Sequence, residues 1–122
     1  MQNETKDEDY MTYIPKACRE GGEFSGSVIL KRITMLDRYR KLPKLEELIQ
    51  DGKKVEATIH AIESTMDLWV TVDITRKKTG QKFTSLNALM KEPKADQLIA
   101  EVAFGFLQGF PEDDEGNGQG EK

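Results

Sequence analysis

The chain of 122 residues is poor in the side chains that do covalent or metal chemistry, with one cysteine, Cys18, and one histidine, His60. A single thiol cannot close an internal disulfide and has no second thiol for a metal site, so a reducing compartment is the simplest expectation. One imidazole removes most nucleophilic templates, which set a histidine between a serine or cysteine and an orienting acid. Long apolar runs are also missing. The N-terminal MQNETKDEDY is acidic where a secretory leader is basic and then apolar, and no stretch reaches membrane-spanning length. No membrane is expected, and the chain is placed in a cytoplasm. No glycine-rich phosphate loop joins a strand to a helix, and no repeat of fixed period occurs. Enzyme activity is not expected, nor is a cofactor.

What is present is charge. A third of the residues are charged (33%) and 37% are apolar, which suits a soluble chain with one modest core. The net charge of -4 and a pI near 5.1 argue against a general nucleic-acid or anionic-membrane binder. The acidic excess sits at the ends. Residues 1–12 are expected to be a disordered acidic arm, 13–110 a single helical domain, and 111–122 (PEDDEGNGQGEK) a disordered acidic tail.

Residues 85–110 carry the clearest pattern. Leu98, Ile99, Val102, Ala103, Phe106 and Leu107 recur at the three-and-four spacing of one helical face. Pro93 and Asp96 suit the start of that helix, and Gly109 and Pro111 its end. Ser85 reads as the cap of a short helix just upstream, with a break at Glu92-Pro93.

Further back, Val28, Ile29, Leu30 and Ile33 follow a glycine and read as a short strand or extended lead-in. Thr34 and Asp37 form a capping-box variant that opens a helix with Met35, Leu36, Tyr39 and Leu42 on one side and Arg38, Arg40 and Lys41 on the other. Pro43 is expected to divide residues 34–51 into two short helices, the second burying Leu45, Leu48 and Ile49. Val55, Ile59, Ile62, Met66 and Trp69 then match the stripe of a central helix. Val70, Val72 and Ile74 alternate with Thr71, Asp73 and Thr75 as a strand does, so both periods coexist. The helix is favoured into the low seventies, because an isolated hairpin is marginal. The fold class expected is mainly α, four to five helices with a short extended N-terminal segment. An α+β fold with a β-hairpin around residues 68–84 is the alternative.

Among chemistry-bearing groups, residues 31–44 hold the densest cationic run: Lys31, Arg32, Arg38, Arg40, Lys41 and Lys44 around Tyr39. Arginine forks and a stacking ring are tools for phosphates, and a solvated helix face is the plainer reading. Arg76, Lys77, Lys78 and Lys82 form a second cluster. His60, Glu63 and Asp67 share one side of a helix but lack facing ligands, so no metal site is expected.

In order, SVILKRITMLDRYRKL, a central amphipathic helix ending near VDITRKKTG, and KFTSLNALMKEPKADQLIAEVAFGFLQGF resemble the tail assembly chaperones of long-tailed bacteriophages. The resemblance covers most of residues 25–110. It implies a protein of the host cell cytoplasm that binds and solubilises the tape-measure protein and helps recruit tail-tube subunits. In many members a frameshift makes a longer product, and the acidic ending fits the shorter form. The physical counterpart is an apolar groove taking a client helix, with self-association among the possible contacts. We place that groove between Ile59, Ile62, Met66 and Trp69 and the last helix with Phe104, Phe106 and Phe110. The partner-binding residues expected are Met66, Trp69, Phe104, Phe106 and Phe110, with Arg38, Arg40 and Lys41 from the basic run. Nucleic acid is not an expected partner on this reading. The alternative is a small nucleic-acid-binding regulator of a phage or bacterium using residues 31–44.

Overall fold

The computed structural model describes residues 9–110. The acidic tail, and residues 1–8 of the arm, lie outside the described residues. Four strands, β1 (Tyr10–Tyr13), β2 (Phe24–Lys31), β3 (Trp69–Arg76) and β4 (Lys82–Phe83), form one antiparallel sheet in the order β1-β2-β3-β4. Four helices accompany it: α1 (Met35–Gln50), α2 (Lys54–Thr65), α3 (Leu86–Met90) and α4 (Asp96–Gln108). Short 3-10 turns occupy Lys16–Cys18, Met66–Leu68 and Pro93–Ala95.

This is a mixed α+β fold, and it overturns the mainly α expectation. The alternating segment is a strand, and the central helix stops at Thr65. An isolated hairpin would be marginal, but β3 is not isolated. Its main partner is β2, the segment read as a lead-in, paired from Phe24↔Arg76 to Leu30↔Trp69. The two are far apart in sequence, so no local pattern announces their pairing. β1 pairs on the far side of β2, from Tyr10↔Lys31 to Tyr13↔Val28, so the arm's expected boundary at residue 12 falls inside a strand.

Pairing sets the faces, since alternate side chains point to opposite sides of a strand. Tyr13, Val28 and Val72 lie in one row across the sheet and are all buried. Ile74 pairs with Phe83 in a second buried row. Thr12, Ile29 and Thr71 make up a row on the opposite, exposed face. Ile29 pairs with Thr71 and Leu30 with Trp69, which leaves Val70 as an extra residue in β3.

The final helix behaves as its periodicity predicts. Leu98, Ile99, Val102, Ala103, Phe106 and Leu107 are all buried. They serve two clusters: Leu98, Ile99, Val102 and Phe106 pack with the inner face of the sheet, while Ala103 and Leu107 pack with Leu45 and Leu48 of α1 and Ala57 and Ala61 of α2. α4 therefore lies between sheet and hairpin. The Glu101 carboxylate on the same helix accepts a hydrogen bond from the Tyr13 hydroxyl and another from the Lys16 amide at 3.0 Å. That pins the end of β1 to α4.

The caps at Thr34 and Ser85 form as expected: their hydroxyls accept from the amides of Asp37 (3.2 Å) and Ala88 (3.1 Å). Pro43 does not divide the first helix, which runs unbroken from Met35 to Gln50. The proline sits on the exposed side, where water can serve the carbonyl it leaves without a donor.

Gly26 is the position where the sheet demands glycine. Its φ is +110°, and a Cβ there would lie 1.9 Å from the carbonyl oxygen of Asp73 on β3. We expect Gly26→Ala to destabilise the fold by about 3 kcal/mol or more, combining backbone strain with a strand pushed off its neighbour. Urea unfolding checks this, and an unchanged midpoint would refute it.

Candidate functional site

The hairpin of α1 and α2 buries Leu45 and Leu48 but carries several other large apolar side chains on its outer side. On α2 the buried stripe is Ala57, Ala61 and Thr65, all fully shielded, with the Thr65 hydroxyl donating to the Ala61 carbonyl at 2.8 Å. At 100° per residue, roughly, the opposite stripe is Val55, Ile59 and Met66. These are 73%, 48% and 38% exposed. The apolar stripe that the sequence places along the central helix is thus largely the outer one; Ile62, at its edge, is partly buried and touches both clusters. Two short apolar stripes share the same helical period, and the one made of small residues faces α4.

α1 is inverted in the same way. Met35, Leu36 and Tyr39 are exposed, while Arg38 and Lys41 are half-buried. The Lys41 ammonium donates to the Ser64 carbonyl at 2.6 Å, in the last turn of α2, where the helix dipole favours a cation. His60 Nε2 lies 2.9 Å from the Lys41 carbonyl, which can only accept, so Nε2 carries the proton. Ser64 Oγ is then positioned to donate to Nδ1 at 3.4 Å. His60 and Lys41 are thus fasteners between α1 and α2. Among the described residues, no group of three or more His, Cys, Asp or Glu could hold a metal ion. No helix among them is long and apolar enough to cross a membrane.

The residues expected to bind a partner separate into three groups. Phe106 and Phe110 are buried, at 1% and 4% exposure. Phe110 folds back over Gly105, where a Cβ would meet its ring at 2.2 Å, and packs on Tyr13 and Phe106 with centroids 4.7 and 5.5 Å away. Trp69 is half-buried against the sheet-side cluster. Arg38 lines a cavity of about 170 Å³ with Met11, Arg32, Ile33, Phe106 and Phe110, and its Nε has no hydrogen-bond partner among the described residues. Met66 and Arg40 are exposed, and Phe104, like Trp69, Arg38 and Lys41, is partly so.

Phe104 borders the other feature of interest. It lines an open cavity of about 440 Å³ with Ile49, Gly52, Lys54, Ala57 and Gln108, at the turn end of the hairpin. Ile49 is 45% exposed at its rim. Sequence reasoning counted Ile49 among buried positions and passed over Leu36, Tyr39 and Val55 as partner contacts. Their exposure depends on which face α4 claims, and that is a tertiary fact. No family model matches the chain, and neither a curated protein nor a solved structure matches it.

Cys18 offers no chemistry of its own. Burial pushes its thiol from 9.0 up to about 11, the Glu101 carboxylate adds to the rise and the Lys77 ammonium opposes it. Below that value the thiol keeps its proton, so at pH 8 iodoacetamide should label the folded chain at least about tenfold more slowly than the urea-unfolded one. Equal rates would show the thiol to be open. A second expectation separates the aromatic residues: Phe110→Ala should lower stability by about 3 kcal/mol or more, whereas Tyr39→Ala should change it by less than about 0.5 kcal/mol. Thermal unfolding of the two variants checks the ordering.

Proposed function

We propose that this chain is a tail assembly chaperone of the long-tailed phage kind, a binding protein that keeps an apolar helical client soluble in the host cell cytoplasm. The client is the tape-measure protein, and the bound chain helps recruit tail-tube subunits. The observation that carries the proposal is the inverted hairpin. Met35, Leu36, Tyr39, Val55, Ile59 and Met66 face solvent, while Leu45, Leu48, Ala57 and Ala61 are buried and Arg38 and Lys41 are half-buried. Apolar side chains gathered on one hairpin suggest a surface that is covered in use.

The chemistry fits a long client better than a small ligand. Each exposed aliphatic side chain covered by a client helix contributes about 1.5–3 kcal/mol if fully buried, so one copy binds modestly. Many copies along one client add avidity. Methionines at 35 and 66 adapt to an irregular apolar partner. The nucleic-acid alternative is less well supported, because two cations of its basic run, Arg38 and Lys41, turn inward.

Co-expression with a phage tape-measure protein tests the proposal. Soluble client should rise several-fold with the wild-type chain. It should fall back to the uncovered level with Tyr39→Glu, Val55→Glu and Ile59→Glu combined, changes at exposed positions expected to leave the melting temperature within a few degrees. Client solubility that does not respond to the wild-type chain would end the proposal.

A further inference from the structure

Arg76 ends β3, Lys77 and Lys78 open the turn to β4, and Lys94 lies in the 3-10 turn before α4. The fold brings these four cations around one open cavity of about 380 Å³, with Glu23 as the single carboxylate among its lining residues. Their backbones are fixed. The Lys77 amide donates to the Glu23 carbonyl at 3.0 Å, the Gly80 amide to the Arg76 carbonyl at 2.7 Å, and the Lys94 amide to the Glu92 carboxylate at 2.9 Å. Arg76 Nη1 lies 3.8 Å from the Glu92 carboxylate. Its Nε is buried and has no hydrogen-bond partner among the described residues. Against Glu23 and Glu92, the four cations leave an excess of positive charge that an anion would relieve.

We propose that this cavity binds a run of carboxylates on a peptide. An arginine fork takes a carboxylate through paired N–H groups, and three lysines on flexible stems serve its neighbours. Nucleic acid fits less well. None of the lining residues is aromatic, so nothing stacks on a base, and Glu23 opposes a dense phosphate more strongly than single carboxylates. The sequence segregates charge accordingly. Residues 9–110 hold 16 Lys and Arg against 14 Asp and Glu, and Glu112, Asp113, Asp114 and Glu115 follow in succession. The same chemistry thus has two sources, this chain's own residues 112–115 and an acidic segment of a partner protein.

Titration of the full-length chain with hexaglutamate at low salt, followed through backbone amide shifts, tests the site. Shifts should centre on Arg76, Lys77, Lys78 and Lys94 and fade at high salt. Lys77→Gln with Lys78→Gln, both at exposed positions, should weaken binding about tenfold without moving the melting temperature. A chain carrying Glu112→Gln, Asp113→Asn, Asp114→Asn and Glu115→Gln distinguishes the sources. Tighter hexaglutamate binding than wild type assigns the chain's own run, and equal binding assigns a partner. Shifts absent from these four amides, an affinity unchanged in the double variant, or tighter binding of oligothymidylate at the same amides would overturn the proposal.

Discussion

Helix α4 is buried over most of its circumference, and the rest of the chain is arranged by the need to cover it. Leu98, Ile99, Val102 and Phe106 require one apolar wall and Ala103 and Leu107 another. A four-stranded sheet supplies the first and the α1–α2 hairpin the second. The one acid in mid-helix, Glu101, sits beside the sheet wall and needs donors, which Tyr13 and the Lys16 amide provide. Positioning β1 is therefore part of satisfying α4, and β1 in turn extends the sheet beyond β2.

The hairpin's inversion follows from the same constraint. Ala57 and Ala61 are small enough to let α2 approach α4 closely, and a helix has only one face to give to that contact. Once the alanines take it, Val55 and Ile59 point away. On α1 the corresponding choice turns Arg38 and Lys41 inward, where Lys41 ends on the Ser64 carbonyl and holds the two helices together. Exposed aliphatic side chains are thus a by-product of how α4 is covered, and they are also what gives the hairpin something to offer a partner.

This explains which parts of the molecule were legible. The Leu98 to Leu107 stripe could be read because every residue in it is large or sits beside large ones, and the Thr34 and Ser85 caps because their partners are three residues away. The sheet could not be assembled from local patterns. β2 and β3 are separated by the whole hairpin, and only their pairing decides that Trp69 to Arg76 is extended. On α2, periodicity detected the strongest apolar stripe, whereas packing buried the weaker stripe of Ala57, Ala61 and Thr65. Phe110 misled for a related reason. It lies past Gly109, beyond the helical period, and returns over Gly105 to reach Tyr13. The cationic cavity was half visible: Arg76, Lys77 and Lys78 are contiguous, while Lys82 is not among its lining residues and Lys94 joins only through the fold.

The cationic and the apolar cavity sit toward opposite ends of α4. Lys94 of the cationic cavity immediately precedes the helix, and Phe104 and Gln108 of the apolar cavity belong to its C-terminal half. Ten to fourteen residues at 1.5 Å each separate them by roughly 15–20 Å along a helix clamped on both sides. They share no lining residue, so filling one leaves the other open. On the two proposals above, an acidic segment would take the cationic cavity and a client helix the outer face of the hairpin, each by different chemistry. One is weakened by salt and the other is not, so ionic strength alone separates their contributions.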